Sequence, residues 1–127
     1  MDLNGNRKSP SLFSSFMYAA AGILTSIKQE RNMRIHVLSS VFVILISFYF
    51  SITKMEWIIV LIAIGGMFAF ELMNSAIERV VDLASPKFHL LAKQAKDLAA
   101  GAVFVYAILS VIIGVMIYFP YVSKLFR

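Results

Sequence analysis

Between residues 11 and 29 the apolar positions Leu12, Phe13, Phe16, Met17, Ala20, Ile23, Leu24 and Ile27 recur at three- and four-residue steps. That is the period of a helix with one apolar face. Ser14, Ser15, Tyr18, Gly22, Thr25, Ser26 and Gln29 fall opposite. The spacing predicts an amphipathic surface helix lying in a membrane interface, apolar side among acyl chains. A peripheral anchor with no further role is the plainer alternative.

Beyond this helix the polar interruptions thin out. Residues 37–52 form an apolar run that is short for a bilayer and extendable into 33–36. Residues 57–73 form a second, with Trp57 as an interfacial anchor, and residues 99–122 a third, with Tyr118 and Tyr121 near its far end. Pro120 is tolerable there because it lies close to the helix end. A polar stretch occupies 78–97, and Ser85-Pro86 marks where the second helix should stop. The pattern predicts an all-α integral membrane protein: one amphipathic surface helix and three transmembrane helices, a single domain over residues 1–127.

Composition strengthens this picture. The chain has 127 residues, 60% of them hydrophobic, and a mean hydropathy of +0.81; soluble domains are about 45–50% apolar. With no cysteine, disulfides, zinc-thiolate sites and thiol nucleophiles are excluded. A net charge of +5 could suggest nucleic acid, but the cations flank apolar segments and form no basic, aromatic-interleaved patch. No cleavable leader is expected, because the first long apolar run starts too far in. Arg7, Lys8, Lys28, Arg31, Arg34, Arg79, Lys87, Lys93 and Lys96 lie on one side of the spans, and only Lys54, Lys124 and Arg127 on the other. By the positive-inside rule the N-terminus and the 78–97 stretch should be cytoplasmic and the C-terminus outside, in the cytoplasmic membrane.

The seven acidic residues are unevenly placed. At about 100° per residue, Glu71, Asn74, Glu78 and Asp82 fall on one narrow stripe of a helix continuing from the second span. Glu71, between Phe70 and Leu72, should sit at the membrane boundary, where an ionisable group is costly and a functional candidate by default. Taken singly it could equally be a helix-end carboxylate snorkelling to water or pairing with lysine. Stacked like charges repel, however, and a divalent cation with oxygen ligands would compensate them; magnesium with phosphate suits a site of few carboxylates. Glu30 closes the first helix at the same boundary and could complete such a site with Glu78. Lys96-Asp97 returns to that boundary, where Lys96 could hold a phosphate or serve only as a positive flank. The chain has no GxxxxGK[ST] loop, GxGxxG or HxD kinase loop. His36 and His89 lack metal-ligand spacing to each other. Gly65-Gly66 and the 99–102 run of small residues suggest close helix packing.

Glu71-Leu72-Met73-Asn74-Ser75-Ala76-Ile77-Glu78, then Val80-Val81-Asp82, then the run from Ala92 through Lys96-Asp97 to Gly101, resemble the motifs of the small prokaryotic diacylglycerol kinase and undecaprenol kinase family. The resemblance covers nearly the whole chain. It implies a homotrimeric integral membrane kinase using ATP with Mg2+, unrelated to soluble kinases. Carried over by position, Glu71 resembles the general base that touches the lipid hydroxyl and takes its proton. Glu30 and Glu78 resemble metal ligands that also contact ATP. Lys96, Asp97, Lys87, Phe88, His89 and Tyr18 resemble further ATP-contacting residues, and Asn74 the polar residue beside the base. The diacylglycerol branch is expected to have a carboxylate where this chain has His36. Arg34-Ile35-His36 and the GGMFAFEL run look closer to the undecaprenol branch, so undecaprenol is the favoured acceptor and diacylglycerol the alternative. Such chemistry needs mainly positioning and charge neutralisation, and a lipid hydroxyl at the interface needs its base there. The rival from another class is a small transporter or structural oligomer with Glu71 as a proton or cation site. It would have no need of Glu30, Glu78 and Lys96-Asp97 at one boundary.

Overall fold

The computed structural model describes residues 11–126, which form four helices. Arg7, Lys8 and Arg127, counted above in the charge balance, lie outside the described residues.

Helix α1 (Leu12–Gln29) starts where the Ser11 side chain accepts from the Ser14 amide at 3.3 Å, satisfying one of the free first-turn donors. It ends at Glu30, whose backbone is extended (φ −101°, ψ 123°) while its N–H still donates to the Ser26 carbonyl at 2.8 Å. Helix α2 (Arg31–Tyr49) begins at the next residue. One extended residue thus turns the chain from α1 into the first apolar helix.

Helix α2 starts earlier than the expected run and stops short of Ile52. Ser51 takes up a left-handed backbone with φ 50°. Its N–H donates to the Phe48 carbonyl at 3.1 Å and that of Ile52 to the Ser47 carbonyl at 3.3 Å. These are the two bonds of a Schellman C-cap, usually built on glycine. They fold Ile52 back into the interior, where it is buried.

Helix α3 (Lys54–Ala84) has 31 residues, about 46 Å at 1.5 Å per residue, against roughly 30 Å for a bilayer core. It opens on a capping box: the Glu56 amide donates to Thr53 Oγ1 at 3.3 Å, and Glu56 Oε2 accepts from the Thr53 amide at 2.7 Å. It stops at Ser85, as Pro86 requires. The helix is continuous through the carboxylate stripe, as expected. Helix α4 (Leu90–Leu125) begins well before the expected third span, with His89 Nδ1 accepting from the Leu91 amide at 3.2 Å. Much of the 78–97 stretch is therefore helical, and only 85–89 connects the two helices. Pro120 lies inside α4 near its end.

Helix α3 is the central element. α4 packs along it, α2 packs against it less extensively, and α1 touches α2 and α3 without packing against α4. At the end holding the α2–α3 turn, Ile52, Val60 and Ile117 form a small buried core with Phe50, Trp57, Tyr118 and Tyr121 around it. Trp57 is half-buried and packs 4.9 Å from the Phe48 ring, so it also belongs to the packing of this end. Ser47, fully buried, gives its proton to the Val43 carbonyl at 2.7 Å. Tyr118 therefore donates to Ser47 Oγ at 2.5 Å, and the Tyr121 hydroxyl donates to Glu56 Oε2 at 2.7 Å.

Elsewhere the helices present apolar side chains outward, among them Leu38, Phe42, Phe104, Val111 and Phe119. Three helices, α2, α3 and α4, are long and apolar enough to cross a membrane; in hydrocarbon such exposure costs nothing. Of the small residues expected to pack closely, Ala99 is buried and Gly66 is the glycine that meets a neighbour. A Cβ there would fall onto the Tyr106 ring, whereas Gly65 and Gly101 face open space. The space at Gly66 is filled by a side chain, with the Tyr106 hydroxyl donating to the Ile62 carbonyl at 2.9 Å.

Candidate active site

The stripe on α3 runs from the interior to the surface. Glu71 is 1% exposed and Asn74 8%, Glu78 is half-buried and Asp82 exposed. The helix thus delivers one carboxylate into a closed environment and the others progressively into water, as helical phase dictates.

Each member meets a different partner. His36, from α2, brings Nε2 to 4.0 Å from Glu71 Oε2, an atom with no hydrogen-bond partner. Asn74 Nδ2 donates to Glu78 Oε1 at 3.2 Å, and its own Oδ1 is buried without a partner. Lys96 reaches across from α4 to Asp82 Oδ1 at 2.8 Å. Arg79, one position beyond Glu78, donates to Glu30 Oε1 at 2.9 Å and to Gln29 Oε1 at 3.1 Å. The repulsion expected along the stripe is therefore relieved by the chain's own cations and amides. Of the four described carboxylates at this end, Glu30 and Asp82 have an arginine or a lysine within ion-pair distance, Glu71 faces the His36 imidazole, and Glu78 has no basic side chain within that distance. Glu30 and Glu78 both face the Glu71 carboxylate closely enough to act on its charge.

Among the described residues no group of three or more His, Cys, Asp or Glu could hold a metal by itself. A donor set of two carboxylates with amides and hydroxyls fits a magnesium ion that arrives with phosphate and water ligands, which is how that ion usually binds. Buried hydroxyls and amide oxygens without partners, on Ser26, Asn74 and Ser75, leave unused acceptors and donors at this end of α1 and α3.

The other sequence candidates divide into two groups. Tyr18 lies exposed on α1. Lys87, Phe88 and His89 lie in the exposed connection before α4, where Ser85 Oγ donates to the Lys87 carbonyl at 3.0 Å. Asp97 pairs with Lys93 one turn away at 2.5 Å. Because α1 and α4 do not pack together, Tyr18 is not brought beside Lys96 and Asp97 within one chain.

Two residues carry more of the site than the sequence indicates. Arg79 reads as a flanking positive charge but holds Glu30. His36 reads as a histidine without a metal partner but faces Glu71. The signal for both is direction: Glu30 to His36 runs forward along the chain and Arg79 to Glu71 runs back, so antiparallel α2 and α3 that meet at one pair approach again at the other. Behind His36 a groove of about 440 Å³ opens between α2 and α4, with α3 as its floor and Ser40, Ser110 and apolar side chains along it.

The sequence matches a known family over most of its length. The family model described as prokaryotic diacylglycerol kinase matches residues 17–118. The undecaprenol kinase of Bacillus subtilis is 46% identical over 108 residues, 85% of this chain and 88% of that one. A diacylglycerol kinase of Synechocystis sp. is 37% identical over 118 residues, 92% of this chain and 67% of that one. A diacylglycerol kinase of Haemophilus influenzae is 30% identical over 109 residues, 85% and 92% of the two chains.

Proposed function

The chain belongs to the prokaryotic diacylglycerol kinase family, and on that premise we propose that it transfers the γ-phosphate of ATP to the hydroxyl of undecaprenol, giving undecaprenyl phosphate. Diacylglycerol, giving phosphatidate, is the second reading, supported by the names of several relatives. The 46% identity to an undecaprenol kinase favours the first, as does His36 where a carboxylate is expected of the diacylglycerol branch.

The observation that carries the chemistry is Glu71, a buried carboxylate with a free oxygen at the boundary where a lipid hydroxyl would lie. Glu71 takes the hydroxyl proton as the new O–P bond forms, help that is typically worth about 10²–10⁴-fold. Glu30 and Glu78 would hold Mg2+ together with ATP, and Asn74 orients the Glu78 carboxylate. Bound magnesium would supply neutralisation of phosphate charge, the main demand of phosphoryl transfer. Lys96 binds phosphate as a point charge, and Asp97, Lys87, Phe88, His89 and Tyr18 contact the nucleotide. Lys96 would leave Asp82 to meet the phosphates, while Glu30, held through Oε1 by Arg79, keeps Oε2 for the metal.

The working unit is a homotrimer of the single domain 1–127, in which neighbouring copies cover part of the apolar surface. α1 lies in the interface with Leu12, Phe13, Phe16 and Leu24, all exposed, among acyl chains. The N-terminus and the 85–89 connection face the cytoplasm and the C-terminus the other side, on the strength of the lysine and arginine distribution.

A side-by-side assay of the detergent-solubilised protein with ATP and either undecaprenol or diacylglycerol tests the acceptor. Faster phosphorylation of undecaprenol is expected, and preference for diacylglycerol would reverse the assignment. Glu71→Gln should abolish transfer while the protein still inserts; full activity would sink the base assignment.

A further inference from the structure

Phosphoryl transfer from ATP to an alcohol releases one proton per turnover, and a base must lose that proton before it can act again. Glu71 is poorly placed to lose it directly: the side chain is 2% exposed, and Oε2 has no hydrogen-bond partner. The groups that face it are Asn32 and His36 from α2, Glu30 from the α1–α2 junction, and Glu78 from its own helix. Among the described residues, no side chain of α1 or α4 forms an ion pair with Glu71 or His36. An amide cannot take up a proton, and Glu30 and Glu78 are committed to the metal in the function proposed above. His36 is what remains, and imidazole is the side chain that accepts and returns protons near neutral pH. Its Nε2 is 4.0 Å from Glu71 Oε2, its side chain is 23% exposed, and it lines the mouth of the groove between α2 and α4.

We propose that His36 is a positioning residue that acts through Glu71, taking the proton from the buried carboxyl and passing it to water. The inference rests on Glu71 being the base. In the first step the lipid oxygen bonds to the γ-phosphorus, the bond from that phosphorus to the ADP oxygen breaks, and the hydroxyl proton moves to Glu71 Oε2. In the second step a side-chain rotation brings Glu71 Oε2 and His36 Nε2, 4.0 Å apart in the structure, within hydrogen-bond distance, and that proton moves between them, leaving a carboxylate and an imidazolium. In the third the imidazolium releases the proton to water. The products are ADP, the lipid phosphate and one proton, so both side chains return to their starting states.

Chemical rescue tests this on the full chain in detergent, with ATP and undecaprenol. His36→Ala removes the acceptor and opens space at the groove mouth. It should lower kcat about 10²-fold, the lower end of what positioned acid–base groups contribute, with the KM for ATP unchanged. Added imidazole should restore kcat in a concentration-dependent way. His36→Gln keeps the volume and polarity but carries no proton; it should fold normally, lose kcat to a similar degree and resist rescue. Full kcat in either variant overturns the proposal, and so does a loss in His36→Ala that imidazole does not restore. Should His36→Ala fail to fold, kcat in His36→Gln decides alone. Glu71→Gln distinguishes the two levels: its inactivity beside a fully active His36→Gln removes the relay and leaves the base, whereas its activity removes the base itself.

Discussion

Arg79 on α3 holds Glu30, the single extended residue between α1 and α2, with Nη2 2.9 Å from Oε1 and a second contact to Gln29 at 3.1 Å. One guanidinium therefore fixes the point where the surface helix turns into the first apolar helix, and does so from the helix that bears the candidate base.

The side chains of this pair are 49% and 24% exposed, and exposed pairs contribute only about 0.2–1 kcal/mol. Arg79→Ala should therefore cost less than about 1 kcal/mol in unfolding measurements. Its effect should appear in kinetics instead, as a several-fold rise in the KM for MgATP with a smaller change in kcat, because Glu30 is no longer held in place. Arg79→Lys keeps the charge but not the planar guanidinium whose Nη2 meets both Glu30 and Gln29, and should fall between the two.

Lys96 and Asp82 join α4 to α3 at 2.8 Å, and removing either breaks the same contact with opposite expected consequences. Lys96→Ala should raise the KM for ATP strongly, because the phosphate loses its point charge. Asp82→Asn frees Lys96 and should leave that KM equal or lower. Steady-state kinetics of the two variants side by side checks this, and an equal loss in both would mean that the bridge matters only for holding the helices together.

Gly66 lies under the Tyr106 ring, so Gly66→Ala forces that ring aside. Overpacking of this kind typically costs about 1–3 kcal/mol. Thermal unfolding in detergent should report the loss, and pairing the change with Tyr106→Ala should remove most of the clash. Tyr106→Phe alone loses only the hydroxyl bond to the Ile62 carbonyl, about 1 kcal/mol.

Ser51 holds the left-handed position that closes α2. Glycine meets no Cβ penalty there, and the left-handed conformation costs other residues roughly 1–2 kcal/mol. Ser51→Gly should raise the unfolding temperature without changing activity, since the turn is at the end of the bundle remote from Glu71.

The helices were legible because their signals are local. The three- and four-step apolar pattern gave α1 to within a residue, and Ser85-Pro86 marked the end of α3. The misjudged boundaries have local causes too. The Ser51 turn uses no glycine, so the apolar run to Ile52 carries no mark of the end of α2. The polar opening of α4 has no apolar pattern to reveal it. Of the site, Glu71, Asn74, Glu78 and Asp82 could be grouped because one helix carries them. The contacts of His36 with Glu71 and of Arg79 with Glu30 join residues far apart in the chain, and only the pairing of α2 with α3 brings them together. Glu56 shows the same limit: nothing in the sequence hints that Tyr121 binds it.

The unbroken course of α3 makes it a ruler. Glu71 and Glu78 are separated by about 10 Å of helix rise, so the depth of the proposed proton acceptor below the proposed ion site is set by backbone pitch and not by any flexible loop. A single residue inserted between them would swing every position beyond it by about 100°, scattering Glu78 and Arg79 from their partners in one step. Spacing in this stretch should thus tolerate less change than composition, and many substitutions there should be milder than the smallest insertion.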